Sequence, residues 1–236
     1  EEIRQDYLNY NFHQAFQKIH NFCANDLGGF YLDILKDRLY TAKLDSNARR
    51  SSQTALSNIL QALLRWISPI LSFTAEEAWQ NLNTEPKSVH LLEWFQDWHE
   101  IGDLNFSNEN WEKILEIRSE VNKYIEEARN DGIIGSSLEA NLEIFCNKEH
   151  FELLSKFADE LRFLFITSEA KVIESNNEGD ITNINGVNIK VIKTSHQKCI
   201  RCWHRRPEVG TIDGHQSICS RCNENINGEG EIRRFA

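Results

Sequence analysis

Four cysteines near the C-terminus constrain the fold of this 236-residue chain more than any other feature. Cys199 and Cys202 form one Cys-x-x-Cys pair and Cys219 and Cys222 a second, with sixteen residues between the pairs. A Cys-x-x-Cys turns tightly enough to aim both thiolates at one centre. Two such knuckles complete a tetrahedron of soft sulfur donors, the set that zinc prefers at about 2.3 Å per bond. Protein fills all four positions and leaves none for a reactive water, so a structural Zn²⁺ is predicted rather than a thioredoxin-like redox pair. The segment around these cysteines is short and poor in apolar residues, so metal binding has to supply most of its folding free energy.

The other two cysteines, Cys23 and Cys146, fall at apolar positions of a helix and a strand end and read as inert core thiols. The chain opens Glu1-Glu2-Ile3-Arg4, with no apolar signal region, and no run approaches a membrane span. This cysteine usage fits a reducing compartment, the cytoplasm or an organellar matrix. The chain contains no Met, which reads as an excised part of a longer polypeptide.

Charge is distributed unevenly. The net charge is −10, yet residues 190–236 hold nine Lys/Arg against five Asp/Glu while the preceding 189 residues net −14. A basic tail on an acidic body suits a local anion-binding surface. Lys198, Arg201, Arg205, Arg206 and Arg221 could equally offset the −2 charge of four thiolates around one Zn²⁺. Arg201 and Trp203, within and just after the first knuckle, are placed to stack on or hydrogen-bond unpaired bases. With four Cys available as ligands, His196, His204 and His215 are expected to face solvent or RNA.

Upstream of the ribbon the apolar spacing is mostly helical. Leu8, Phe12, Ala15, Phe16, Ile19, Phe22 and Cys23 share one helical face, Gly28-Gly29 marks a joint or a close-packing point, and Phe30–Tyr40 resumes as helix. Residues 46–68 form the strongest helix, ended by Pro69, and Thr74-Ala-Glu-Glu77 reads as a capping box opening another. An irregular aromatic connection over 83–106 (Asn83, Pro86, Trp94, Trp98, Gly102) leads to a long helix over 110–131, stopped by Gly132. The period then changes: strands over 138–144, 170–173 and 187–192, a helix over 150–164, and a turn at Asn176-Asn177-Glu178-Gly179-Asp180. The predicted fold is mainly α, with a helical bundle over 1–105, a small α+β unit over 106–195 and a four-cysteine zinc ribbon over 196–236.

No phosphate-binding Gly-rich loop and no nucleophile elbow occurs, and the pairs Glu76-Glu77 and Glu126-Glu127 read as solvated helix faces. No catalytic constellation is legible, so the chain is expected to bind rather than react.

Phe30-Tyr-Leu-Asp-Ile-Leu-Lys-Asp-Arg-Leu-Tyr40 and Ile67-Ser-Pro-Ile-Leu-Ser-Phe-Thr-Ala-Glu-Glu-Ala-Trp79 resemble the helical anticodon-binding domain of class I aminoacyl-tRNA synthetases. Glu126-Glu-Ala-Arg129 and Ile134-Gly-Ser-Ser-Leu-Glu-Ala140 are similar to the segment that follows it in isoleucyl-tRNA synthetases. The tail from Lys198-Cys-Ile-Arg-Cys-Trp203 to Cys219-Ser-Arg-Cys222, closing in Gly228-Glu-Gly-Glu-Ile-Arg-Arg-Phe-Ala236, resembles their bacterial-type zinc ribbon. The ribbon spacing also resembles the finger of formamidopyrimidine-type DNA glycosylases, but nothing upstream does.

The resemblance implies the tRNA-binding C-terminal part of a ligase that joins isoleucine to tRNA(Ile) using ATP. The signature motifs His-Ile-Gly-His and Lys-Met-Ser-Lys-Ser are absent here, so the catalytic and editing domains should lie upstream in a parent protein, expected to be monomeric. On this reading Cys199, Cys202, Cys219 and Cys222 hold the metal and Arg201 and Trp203 contact anticodon bases. Arg49, Arg50, Arg205 and Arg206 would contact phosphates, and loss of Arg205 would lower the salt dependence of binding. The competing reading is a stand-alone zinc-ribbon module that binds DNA or protein.

Overall fold

A computed structural model describes residues 1–82, 84–96, 106–175 and 178–235. Asn83, Trp98 and Gly102 of the expected connection, Asn176-Asn177 of the expected turn, and Ala236 lie outside the described residues. The chain is mainly helical with one small sheet, and it divides into two compact units.

The first unit comprises Glu1–Leu35 and Arg50–Gly102. Helix α1 (Glu2–Leu8) ends in a turn through Tyr10 at φ 59°, and α2 (Phe12–Asn21) starts in a new direction. That turn breaks the single apolar face read over this stretch. Ala15 and Ile19 are buried, whereas Leu8, Phe12 and Phe16 are exposed. The chain continues as a π-helical segment, Phe22–Tyr31, into α3 (Leu32–Thr41). Gly28 and Gly29 lie inside this wide turn, where a Cβ on Gly28 would stand 3.1 Å from the Cys23 carbonyl oxygen. Of the two expected roles they fill the close-packing one.

Helix α4 (Asn47–Ile67) matches its expectation, and the Tyr7 hydroxyl donates to the Trp66 carbonyl at 2.6 Å, tying α1 to it. Helix α5 (Ser72–Gln80) starts two residues before Thr74, with Leu71 at the N-cap and no side-chain cap. The capping-box reading is therefore wrong. The Glu76 carboxylate instead accepts from the Ser88 hydroxyl at 2.9 Å and the Val89 amide at 3.0 Å. Leu64, Ala75, Trp79 and Val89 form the local core.

The second unit comprises Lys36–Arg49 and Asp103–Ala236. Helix α6 (Asn108–Asn130) is capped by Ser107, whose Oγ accepts from the Asn110 amide at 3.2 Å, and Gly132 turns the chain out at φ 72°. Its buried face of Ile114, Ile117, Val121, Ile125 and Ala128 lies against a four-stranded sheet. The strands are β1 (Ala140–Cys146), β2 (Glu169–Glu174), β3 (Asp180–Ile181) and β4 (Val187–Lys193), in the order β2-β1-β4-β3. Strand β1 pairs in parallel with β2 (Asn141 opposite Glu169) and antiparallel with β4 (Ala140 opposite Lys193). Ala140, Leu142 and Ile144 are wholly buried, as a central strand requires.

The single helix expected over 150–164 is instead two, α7 (Lys148–Ser155) and α8 (Leu161–Phe165), separated by Ala158 at φ 47°. The break turns Phe157 into an aromatic cluster, its ring stacked on Phe106 at 4.6 Å and edge-on to Trp111 and Phe235. Among the described residues no helix is long and apolar enough to cross a membrane.

Candidate metal centre

The four-cysteine cluster is built from two short backbone devices. In the first knuckle the Cys199 amide donates to the His204 carbonyl and the Trp203 amide donates back to the Cys199 carbonyl, both at 2.9 Å. Trp203 itself adopts φ 69°, a left-handed conformation rare for a bulky side chain. In the second device Cys219 caps helix α9 (Ser220–Asn227) and Cys222 lies in its first turn. The Ile200 amide donates to the Ser217 carbonyl at 3.1 Å, joining the halves.

The four Sγ atoms lie within 4.8 Å of one another and all four residues are buried. Cys199 and Cys222 sulfurs are 3.7 Å apart and those of Cys202 and Cys219 3.6 Å. These spacings match the edge of about 3.8 Å expected for a tetrahedron of thiolates around an ion with ~2.3 Å bonds. They are too long for disulfides, and all six cysteines are free. Hydrogen bonds from Cys199, Cys219 and Cys222 draw the Cys202 thiol down, while those with Cys199, Cys202 and Cys219 push Cys222 up. Protons alone cannot let four adjacent thiols ionise together, whereas a divalent cation can. The donor set fits a tetrahedral, thiolate-preferring metal.

Arg201, Arg205, Arg206 and Arg221 each anchor the cysteine segment to a neighbouring element, and Arg221 is also drawn electrostatically to Cys202. Arg201 donates through Nη1 to the Thr41 carbonyl at 2.6 Å and through Nη2 to that of Tyr40 at 3.5 Å. It thereby satisfies carbonyls left open at the C-terminal end of α3. Arg205 pairs with Glu139 at 2.6 Å, and its amide donates to the Ser168 hydroxyl at 2.6 Å. Arg206 donates to the Ser168 carbonyl at 3.2 Å and lies 3.5 Å from Glu208. Arg221 makes a bidentate pair with Asp37, both bonds at 2.7 Å, and Arg233 adds a third at 2.6 Å. Burial alone would raise the Asp37 carboxyl, but Arg221, with Arg233 behind it, outweighs burial and holds it down at about 2. Arg233, Arg162 and Arg221 stand 3.5, 4.5 and 4.9 Å from the Phe163 ring centre, offering their guanidinium charge to its π face.

Trp203 is exposed, with the Lys198 ammonium 4.8 Å from its ring centre. His204 overturns its expectation of facing solvent or RNA. It is 3% exposed, its ring edge-on to Phe163 at 5.5 Å and its Nδ1 3.2 Å from the Cys202 carbonyl. Nothing in the spacing distinguished it from its neighbours, because its burial comes from α8, distant in sequence. His196 is partly buried, and His215 is exposed beside Asn227, as expected. Cys146 is a buried core thiol pushed up by desolvation to about 11, and Cys23 is half-buried.

Arg49 and Arg50 sit in the first turn of α4, Arg50 exposed and the Arg49 Nε without a hydrogen-bond partner among the described residues. Sequence reasoning missed Asp37 and Glu139, the acids that receive the ribbon. Asp37 sits in a charged helical stretch where a solvated acid is the ordinary expectation. The available signal was compositional: arginines of a basic tail that become buried need carboxylates to pair with.

The family described as the anticodon-binding domain of tRNA ligase matches residues 1–144. All of this chain aligns with the isoleucine–tRNA ligases of Ruthia magnifica subsp. Calyptogena magnifica (49% identical, 25% of that protein) and Shewanella sp. strain ANA-3 (48%, 26%). That of Alkalilimnicola ehrlichii is 45% identical, again over 26% of its length. The chain thus spans about a quarter of the curated relatives it matches.

Proposed function

The chain belongs to the anticodon-binding domain family of tRNA ligases, and from that premise we propose that it is the tRNA-gripping C-terminal part of an isoleucine–tRNA ligase. Its parent would charge tRNA(Ile) with isoleucine using ATP, the catalytic and editing domains being supplied upstream. The functional parts are a helical anticodon-binding region over 1–105, an α+β junction over 106–195 and a ribbon over 196–236. Cys199, Cys202, Cys219 and Cys222 hold one Zn²⁺, whose contribution when bound is to neutralise and fix four thiolates. A reducing compartment, the cytoplasm or an organellar matrix, keeps those thiolates available.

One observation carries the reading: an exposed indole, Trp203, stands directly after the first Cys-x-x-Cys knuckle in the same chain as the family module. Sequence-specific RNA recognition stacks splayed loop bases on such rings and adds salt-dependent phosphate contacts. Arg50 is the best-placed phosphate ligand, because it is exposed. Arg49 supports it from the same turn of α4. Arg201, Arg205 and Arg206 have structural partners, so any RNA contact they make is additional to a bracing role.

The stand-alone ribbon reading finds less support. The Arg205–Glu139 and Arg221–Asp37 pairs tie the ribbon to the rest of its unit.

Filter binding of the zinc-loaded chain to tRNA(Ile), to a non-cognate tRNA and to duplex DNA tests the proposal. Preference for tRNA(Ile) is expected. Equal or tighter binding of duplex DNA would overturn it.

A further inference from the structure

A cavity of about 310 Å³ lies between α8 and the tail over residues 231–235, within the second unit and apart from the four cysteines. Two local features of the chain shape it. Ala158 at φ 47° parts α7 from α8, and residues 156–160 line the cavity where the helix is broken. The tail is held beside them by Glu160, whose carboxylate accepts from the Arg234 and Phe235 amides.

The cations lining this cavity outnumber the acids available to meet them. Lys156, Arg162 and Arg234 are among its walls. Glu160 is engaged by the two tail amides, and Glu231 meets Arg221 at 3.1 Å. Arg234 is exposed and makes no ion pair among the described residues.

Arg162 is the telling member. It is only 5% exposed. Its Nη2 lies 2.8 Å from the Asp159 carboxylate and its Nε donates to the Asp159 carbonyl at 3.2 Å. Its Nη1 has no hydrogen-bond partner among the described residues. Burial pulls the guanidinium below its ordinary pKa; Asp159 opposes the fall, and Arg206 and Arg221 add to it. The Asp159 side chain is 65% exposed, so solvent screens the one carboxylate that pairs with Arg162. A buried guanidinium with an unspent N–H edge and cations around it is short of negative charge. Guanidinium edges match the spacing of phosphate oxygens, and the cavity falls in the range of small-ligand sites, roughly 300–1,000 Å³.

We propose that this cavity binds a small phosphate-class oxyanion, free phosphate or the phosphate group of a small molecule, with Arg162 as its buried ligand and Arg234 and Lys156 as its exposed ones. The ligand would join the tail to α8 a second time, alongside Glu160. By linkage, whatever binds the closed arrangement stabilises it, so occupancy holds the tail down.

Calorimetry of the full zinc-loaded chain with inorganic phosphate tests the site, with chloride at equal ionic strength as the control because exposed cations respond to salt alone. One phosphate should bind per chain and slow amide exchange at Arg234 and Phe235, and chloride should do neither. Arg162→Gln should weaken binding by roughly 10- to 150-fold, as loss of a buried charge-assisted hydrogen bond does. Arg234→Ala should weaken it about two- to fivefold, as loss of an exposed charge does. Arg234 is exposed, so this second variant carries the test if circular dichroism shows that Arg162→Gln does not fold. Lys190→Ala, which removes an exposed cation from β4, should bind phosphate like the parent.

No saturable binding, an equal response to chloride, or binding undiminished in the folded variants would overturn the proposal. So would a parent that ignores phosphate while Arg234→Ala weakens tRNA(Ile) binding, because these cations would then serve the RNA backbone. Adventitious phosphate binding would show as equal weakening by Lys190→Ala and Arg234→Ala, and that too would overturn it.

Discussion

Trp203 holds a left-handed backbone at φ 69°, where an L side chain costs roughly 1–2 kcal/mol that glycine would not. Glycine would hold this backbone without that cost, so the indole itself is what a test of Trp203 must remove. Trp203→Gly should leave the melting temperature of the zinc-loaded chain unchanged or raised, yet weaken tRNA(Ile) binding by about 1–3 kcal/mol, read by calorimetry and filter binding. Unaltered binding would remove Trp203 from the interface. Asp37 poses the converse case, an acid whose value lies wholly in its partners. Its folded pKa is depressed to about 2, below the ordinary 3.8, so its stabilisation is complete above pH ~4 and lost as pH falls through about 2. The shift corresponds to about 2 kcal/mol at neutral pH. Asp37→Asn should lose that pH dependence, and it leaves the buried Arg221 and Arg233 with Glu231 as their shared counter-charge, at a cost of up to about 3 kcal/mol. Because the ribbon thiolates also bind protons in acid, the informative quantity is the parent-minus-variant difference in unfolding free energy between pH 5 and 2. A flat difference would refute the assignment.

At the scale of elements, the ribbon has little apolar interior of its own, so a metal on its four cysteines would be its main internal support. Its core is Val209 and Ile218 around the four cysteines. Chelation, or Cys219→Ser, should therefore unfold α9 and release the tail that follows it. That tail is pinned by the Glu160 carboxylate, which accepts from the Arg234 and Phe235 amides at 2.7 and 2.8 Å, and by Phe235 in the aromatic cluster. Hydrogen exchange should show protection lost over residues 196–235 while α6 and β1 keep theirs. Loss of protection in β1 at the same rate would mean that the ribbon and the sheet unfold as one unit. Helices α4 and α6 were legible in the sequence because each repeats its apolar positions over many turns without a breaker. The start of α5, the break between α7 and α8, and the two-residue β3 were not, since each is decided by a tertiary partner: Ser88 and Val89 for Glu76, the aromatic cluster for Phe157, and β4 for β3.

For the molecule as a whole, charge placement carries the functional prediction. An acidic chain that binds RNA must do so through a few local cations, so binding should be strongly salt-dependent while involving few phosphates. Arg50→Ala should reduce the slope of log affinity against log salt by roughly one contact, with no change in preference among anticodons. Arg205→Ala, by contrast, should also lower stability, because Arg205 is half of the pair with Glu139. If Arg50→Ala altered anticodon preference at constant slope, Arg50 would be a base reader. The sequence by itself determined the cysteine cluster, the long helices and the family, because cysteine spacing, apolar period and motif identity are all local properties of the chain. Only the tertiary structure decided that Arg201 and Arg205 are braces, that His204 is buried, that Glu139 is the ribbon's anchor and that residues 36–49 pack with the ribbon. Those outcomes depend on which carboxylate, carbonyl or ring a charged side chain meets across long separations, and no spacing along the chain encodes that meeting.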